Sequence, residues 1–125
     1  MDIADETFVR VPAATLAVIV ADPRSWRLWW TDLEPAVTKD RGVKGQQWAV
    51  GGALRGTMEV WLEAVAGGTV IHWYLRADPT APASRRLRRV REDRVLAWKG
   101  HMFALKDRLE GPEHVKVGVV PAESI

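Results

Sequence analysis

Two neighbouring stretches of the chain, residues 57–65 and 69–77, alternate between apolar and polar side chains. Such alternation predicts β-strands that bury one face, and Gly67-Gly68 between them predicts a two-residue hairpin loop. This loop places Leu62 opposite Trp73. Because a slip of one residue would exchange the two faces, the pattern predicts an apolar inner face made of Met58, Val60, Leu62, Ile71, Trp73 and Leu75.

The outer face of the predicted hairpin carries charged and aromatic side chains. The same register pairs Glu63 with His72 and Trp61 with Tyr74, and pairs of these kinds stabilise antiparallel strands. We therefore interpret His72 as an outer-face partner rather than an acid–base group in a pocket. Exposed aromatic pairs are enriched at interfaces, so Trp61 and Tyr74 support the hypothesis of a homodimer contact.

A helical period dominates the C-terminal third of the chain. Five apolar residues spaced 3, 4, 3 and 4 apart form one stripe, namely Val95, Trp98, Met102, Leu105 and Leu109. Ser84 is a predicted N-cap, and Gly111-Pro112 predicts the helix end. We therefore predict a helix over 84–110, which completes a single domain of residues 1–110, followed by a flexible tail over 111–125.

The N-terminal third predicts one strand, over 7–11, and two short helices. The first helix covers 13–21. Asp22-Pro23 favours the start of the second, because aspartate suits the N-cap and proline suits the first helical position. This second helix, over 23–32, would carry Trp26, Trp29 and Trp30 on one face. Further strands are predicted over 36–41 and 46–50, which gives five strands in all.

Tryptophan is the unusual component of the composition, with seven residues in 125, against one tyrosine and two phenylalanines. Each covers roughly 200 Å² of apolar surface, so the surplus favours either a tight core or a surface for a flat apolar ligand. The chain has no cysteine, and its three histidines have no ligand partners at metal-site spacings. We therefore predict no metal site and no cofactor.

The acidic N-terminus has no apolar segment of the kind that forms a secretory signal. No stretch approaches the ~20 consecutive apolar residues that span a bilayer. We expect a cytoplasmic protein without a transmembrane segment.

Positive charge is concentrated at the start of the predicted long helix. Six arginines fall within residues 85–94, although the net charge of the chain is only +2. Such a cluster can contact the phosphates of nucleic acid or an anionic membrane. Glu92 and Asp93 interrupt the run, so nucleic-acid binding is disfavoured, and an interaction module based on helix 84–94 is the weakest functional hypothesis.

Three short motifs accompany this order of strand, two short helices, antiparallel strands and long last helix. They are Val9-Arg10-Val11-Pro12-Ala13, Ala21-Asp22-Pro23 followed by Trp26, Trp29 and Trp30, and Gly56-Thr57-Met58-Glu59 followed by Gly68-Thr69 and Tyr74. Over about residues 5–110 the chain resembles the START-like superfamily, also called SRPBCC, which includes plant Bet v 1 allergens and bacterial polyketide cyclase/dehydrase proteins. The resemblance implies an α+β helix-grip fold, in which a curved antiparallel sheet holds the C-terminal helix beside a hydrophobic cavity. The chain is a shortened version, with five predicted strands where the full fold has seven.

The resemblance also implies binding of lipids, polyketides or other small apolar ligands, and in some members cyclisation or dehydration of a polyketide. The first hypothesis is a non-catalytic binder of a small apolar ligand between hairpin and helix. Its predicted lining is Trp30, Trp48, Met58, Val60, Leu62, Ile71, Trp73, Leu75, Arg94, Trp98 and Met102. The alternative is a cyclase/dehydrase-like enzyme, in which His101 is the candidate acid or base and Arg91 or Arg94 would hold an enolate or carboxylate.

Overall fold

The computed structural model describes residues 1–81 and 86–119, with side chains described as far as residue 111. The strands are β1 (Asp2–Val9), β2 (Leu33–Asp40), β3 (Gly45–Gly52), β4 (Leu54–Val65) and β5 (Gly68–Pro79). The helices are α1 (Ala13–Val20), α2 (Pro23–Trp29) and α3 (Leu87–Val119), with a short 3-10 helix at Gly42–Lys44. The predicted cap Ser84, Arg85 of the arginine cluster and residues 120–125 of the predicted tail lie outside the described residues.

The five strands form one curved antiparallel sheet in the order β1-β5-β4-β3-β2. The two short helices follow β1, and α3 follows β5. Helix α3 packs its apolar stripe on the inner face of the sheet, where Trp98, Met102 and Leu105 are buried in the core. This arrangement confirms the predicted α+β architecture of five strands, two short helices and a long C-terminal helix.

The β4–β5 hairpin has the predicted faces but a different register. Leu62 pairs with Ile71, and Trp73 pairs with Val60, so every partner is displaced by two residues from the prediction. The loop consists of Ala66 and Gly67, because Gly67 takes the left-handed conformation (φ +83°) that glycine adopts without strain. A displacement of two residues leaves each side chain on its own face, since side chains alternate with a period of two.

Strands β1 and β2 begin earlier than their sequence patterns predict. Strand β1 starts at Asp2 because it pairs continuously with β5 from that residue to Val9. Strand β2 starts at Leu33 and contains Pro35, which an edge strand tolerates because a ladder hydrogen bond is not needed on its open side.

Helix α2 begins as predicted and ends earlier. The Asp22 side chain accepts a hydrogen bond from the backbone N–H of Arg24 (2.9 Å), and Pro23 is the first helical residue. The helix ends at Trp29 rather than at residue 32. Trp30 leaves the helical conformation (φ −131°, ψ 66°), and its carbonyl oxygen accepts a hydrogen bond from the backbone N–H of Leu33 (3.1 Å).

Helix α3 is held along β1 by lysine side chains. Lys99 Nζ donates to the carbonyl oxygen of Glu6 (2.8 Å), and Lys106 Nζ donates to that of Phe8 (2.8 Å). One turn later, the carboxylate of Glu110 accepts the backbone N–H of Arg10 (2.7 Å). The helix was predicted to end at residue 110, but it continues through Gly111-Pro112 to Val119.

Candidate functional site

Six of the seven tryptophans form one continuous cluster between the sheet and the helices, namely Trp26, Trp29, Trp30, Trp48, Trp73 and Trp98. The Trp98 ring is at its centre. It stacks on Trp73 with 4.7 Å between ring centroids and lies parallel to Trp30 at 5.8 Å. The interior of this shortened sheet is therefore filled largely by packed indole rings.

A cleft opens from this cluster to the surface between the end of α2 and the first half of α3. It encloses about 420 Å³. We call it the tryptophan cleft, and its lining consists of Leu28, Trp29, Trp30, Thr31, Asp32, Trp73, Val90, Asp93, Arg94, Ala97, Trp98 and His101. Flat apolar walls and a few charged groups at the rim give this cleft the composition of a small-molecule site.

Three indoles of the cleft carry buried N–H groups that have no acceptor. The side chains of Trp30, Trp73 and Trp98 are nearly inaccessible to solvent, and the Nε1 atom of each has no hydrogen-bond partner among the described residues. Buried donors are normally paired, because an unmade hydrogen bond costs about 1–3 kcal/mol. The wall of the cleft therefore holds three donors that are unpaired among the described residues, and the buried Nε1 atom of Trp48, elsewhere in the cluster, is a fourth.

Arg94 and Asp32 form a bidentate ion pair at the rim of the cleft. The two terminal nitrogens of Arg94 donate to the two carboxylate oxygens of Asp32, at 3.1 Å and 2.7 Å. These hydrogen bonds hold the pKa of Asp32 below its ordinary value of 3.8. Asp32 is consequently ionised at neutral pH, and the pair joins α3 to the segment after α2.

The backbone around Asp32 is fixed by the β3–β4 turn. Ala53 donates its backbone N–H to the carbonyl oxygen of Asp32 (3.0 Å). Gly52 has φ +88°, and a Cβ atom there would lie 2.6 Å from the same oxygen. The close approach therefore requires glycine at this position.

The structure brings five of the predicted site residues together at the tryptophan cleft. They are Trp30, Trp73, Arg94, Trp98 and the catalytic candidate His101. The His101 ring is half-buried, and no hydrogen bond or ion pair orients it within the described part of the chain.

The remaining predicted residues lie elsewhere in the interior or at other surfaces. Val60, Leu62, Ile71 and Met102 are buried in the core. A separate groove of about 640 Å³ on the sheet is lined in part by Trp48, Met58, Leu75 and the second catalytic candidate, Arg91. The Nε atom of Arg91 donates to the carbonyl oxygen of Asp2 (3.0 Å), which occupies this side chain at the edge of the sheet.

Sequence reasoning missed Asp32 as a site residue. Its partner Arg94 is 62 residues away in the chain, so no local spacing connects the two. The available signal was its position two residues after Trp30 in a tryptophan-rich segment, and that signal does not distinguish a rim carboxylate from a solvated one.

The outer face of the hairpin carries a second aromatic group. Trp61 stacks on His72 with 4.3 Å between ring centroids, and His72 Nε2 lies 2.8 Å from a carboxylate oxygen of Glu63. His72 therefore lies on the outer face, as predicted, although it is buried there beneath its neighbours. The homodimer contact through Trp61 and Tyr74 stays a prediction, which light scattering at micromolar concentration tests.

Among the described residues, no three histidine, cysteine or acidic side chains lie together in a group that could hold a metal ion. Neither α3 nor any other described helix is both long enough and apolar enough to cross a membrane.

The sequence itself matches no protein-family model and no curated protein, whereas the fold has clear counterparts. A crystal structure of DR_A0006 from Deinococcus radiodurans superposes with a TM-score of 0.66 at 16% identity, covering 88% of this chain and 98% of that one. MLL2253 from Mesorhizobium loti gives a TM-score of 0.66 at 14% identity and covers 86% and 98%. The Polyketide_cyc-like protein Cgl2372 from Corynebacterium glutamicum gives 0.56 at 15% identity and covers 87% and 91%.

The chain has a helix-grip fold. This confirms the fold that the three sequence motifs implied. In this helix-grip domain, the tryptophan cleft lies between the gripped helix α3 and the segment that connects α2 to the sheet.

Proposed function

We propose that this helix-grip protein binds a small, flat, apolar ligand in the tryptophan cleft and does not transform it. The observation that carries the proposal is the set of three buried indoles, Trp30, Trp73 and Trp98, whose N–H groups have no acceptor among the described residues. Aromatic faces favour a flat ring system, while unpaired donors favour ring substituents with acceptor oxygens. A volume of about 420 Å³ falls within the usual range for small-molecule sites.

An aromatic polyketide is the ligand class that combines these properties. It is flat and apolar, and it carries carbonyl and phenolic oxygens that accept hydrogen bonds from indole N–H groups. The Polyketide_cyc-like name of one structural neighbour supports the same class. A purely aliphatic lipid fits less well, because it would bury the indole donors without giving them acceptors.

A cyclase/dehydrase-like enzyme is the second candidate, and the position of His101 favours it. This histidine lines the same cleft as the three indoles, where a general acid or base would need to lie. Catalytic histidines are normally oriented by a third group, and no described residue bonds to this ring. We therefore rank binding above catalysis. Conversion of a bound polyketide that stops in His101→Gln would reverse this order.

The proposal is tested by blocking the cleft from its exposed side. Ala97 lines the cleft on α3, whereas Ala104, two turns further along the same helix, is also exposed but does not line it. We expect isothermal titration calorimetry to detect 2-acetylnaphthalene binding to the unmodified protein. Affinity should fall at least about tenfold in Ala97→Phe and stay unchanged in Ala104→Phe.

A second probe tests the unpaired donors. The hydrocarbon 2-ethylnaphthalene has nearly the shape of 2-acetylnaphthalene but has no acceptor oxygen, so it should bind more weakly. Failure of both probes to bind, or equal loss in the two alanine variants, would overturn the proposed site. Native mass spectrometry of protein purified from its own host would identify the natural ligand.

A further inference from the structure

We infer that the ligand of the tryptophan cleft carries a carboxylate, and that Asp32 is a resident counter-ion which this carboxylate replaces on Arg94. The inference rests on the proposed function, because it concerns the same cleft. It adds a charge requirement to the ligand, and it assigns Asp32 the role of a competitor rather than a structural partner.

The two members of the ion pair have different environments. The Arg94 side chain is 15% exposed, whereas that of Asp32 is 49% exposed. The guanidinium therefore belongs to the wall of the cleft, and the carboxylate covers it from the solvent side. Asp32 is half-exposed in the pair, so its release to water needs little further solvation. The less exposed guanidinium of Arg94 gains less water when Asp32 leaves, so it keeps its demand for an anion.

The hydrogen bonds of Arg94 leave part of its guanidinium unused. Asp32 occupies the two terminal nitrogens, but Nε is buried and has no partner among the described residues. A guanidinium presents its donors as a planar fork that matches a carboxylate on either edge. The Nε atom is closed to solvent while Asp32 is in place, so an incoming carboxylate takes the terminal nitrogens as Asp32 leaves them.

The remaining charges at the cleft do not offer an equivalent site. Asp93 also lines the cleft, but its side chain is 66% exposed and faces Arg89 at 3.6 Å. Arg94 is thus the one arginine or lysine that lines the cleft within the described residues, and it adjoins indoles whose N–H groups also lack acceptors there. The buried polar atoms of this wall that have no partner among the described residues are all donors, namely Nε of Arg94 and Nε1 of Trp30, Trp73 and Trp98, which favours an anionic ligand over a cationic one.

The test compares two naphthalenes of nearly equal shape, 2-naphthoic acid and the neutral 2-acetylnaphthalene, by calorimetry at neutral pH. In Asp32→Asn the counter-ion is removed, so affinity for naphthoate should rise about five- to tenfold while affinity for the ketone stays unchanged. Glu92→Gln is the matched control, because it removes the same charge from an exposed position on α3 outside the cleft lining. It should change neither affinity.

A second pair of variants identifies the cation. Arg94→Met should abolish any preference for naphthoate over the ketone, whereas Arg88→Met, exposed on the same helix and outside the cleft lining, should retain it. Weaker naphthoate binding in Asp32→Asn would overturn the inference, since it would make Asp32 a positioning residue. An equal gain in Glu92→Gln would overturn it by reducing the effect to general electrostatics. If the unmodified protein and Asp32→Asn bind neither compound, the proposed function fails. If all variants bind both compounds equally, the proposed function stands and only the inference that the ligand carries a carboxylate fails.

Discussion

Replacement of Trp98 by alanine should destabilise the fold by about 5 kcal/mol, at the upper end of the range for buried tryptophan. Trp98 is 2% exposed, and its ring contacts those of Trp29, Trp30 and Trp73 at centroid distances of 5.5, 5.8 and 4.7 Å. Each aromatic pair adds about 0.5–1.5 kcal/mol to the burial of apolar area. A domain of this length has a total stability of roughly 6–19 kcal/mol, so the loss is a large fraction of the whole.

Trp61→Ala is the matched control, because it removes the same side chain from the outer face of the sheet. Trp61 is half-buried and stacks on a single ring, that of His72. Its loss should cost about 1–2 kcal/mol. The comparison separates a tryptophan at the centre of the cluster from one outside it, with the chemistry of the substitution held constant.

The assay is urea denaturation followed by far-UV circular dichroism, which does not depend on the tryptophan that is removed. With a slope of about 1–3 kcal/mol per molar urea, Trp98→Ala should lower the midpoint by about 2–5 M. Equal midpoint shifts for Trp98→Ala and Trp61→Ala would refute the reasoning, because they would show that the cluster contributes no more than an ordinary half-buried ring.

Three further substitutions test the attachment of α3, the β4–β5 loop and the start of α2. Glu110→Gln should cost about 1–3 kcal/mol at neutral pH. Burial alone would raise the pKa of Glu110, but its hydrogen bonds from Arg10 and Lys106 lower the pKa below 4.5. The stabilisation is therefore present at neutral pH and lost as the pH falls through the lowered pKa. The urea midpoints of the unmodified protein and Glu110→Gln should consequently approach each other in acid, and a constant difference would contradict this account. Gly67→Ala should destabilise the protein by about 1–2 kcal/mol because φ is positive there. The control Gly100→Ala, at an exposed helical position with open space around it, should stabilise it by about 0.5–1 kcal/mol. Melting temperatures that shift in the same direction for both variants would exclude the strain argument. Asp22→Ala should cost about 0.5–2 kcal/mol through loss of the N-cap, whereas Asp22→Asn should recover most of it in the same melts.

The β4–β5 hairpin shows which part of the fold was predictable from the sequence and which was not. The period of two along each strand assigns Val60 and Trp73 to the inner face, and the structure agrees. The partner of each residue depends on the loop, and the sequence offers two adjacent glycines. Gly68 cannot serve in the loop, because it is paired as the first residue of β5 and packs tightly against the end of β1, where a side chain would meet the backbone of Val9 and Arg10.

Some helix boundaries were likewise predictable from the sequence, and others were not. The start of α2 was predictable because Asp22-Pro23 forms a local cap that needs no tertiary contact. Its end at Trp29 is set by the segment that leads into the sheet, where the Trp30 carbonyl bonds to Leu33. The far end of α3 differs as well, since a local Gly-Pro signal did not stop a helix that is held along β1 by Lys99 and Lys106.

The sequence by itself determined the apolar faces of the β4–β5 hairpin and of α3, because these follow from periodicity within single elements, and the order of the elements with three short motifs indicated the fold class by resemblance. Only the tertiary structure decided how the six tryptophans meet and that Asp32 pairs with Arg94 at the rim of the cleft. Ring-to-ring packing and an ion pair between residues 62 positions apart depend on how helices and sheet are placed in space. No local pattern in the chain predicts that placement, and the candidate site forms only when the helices and the sheet are packed in this way.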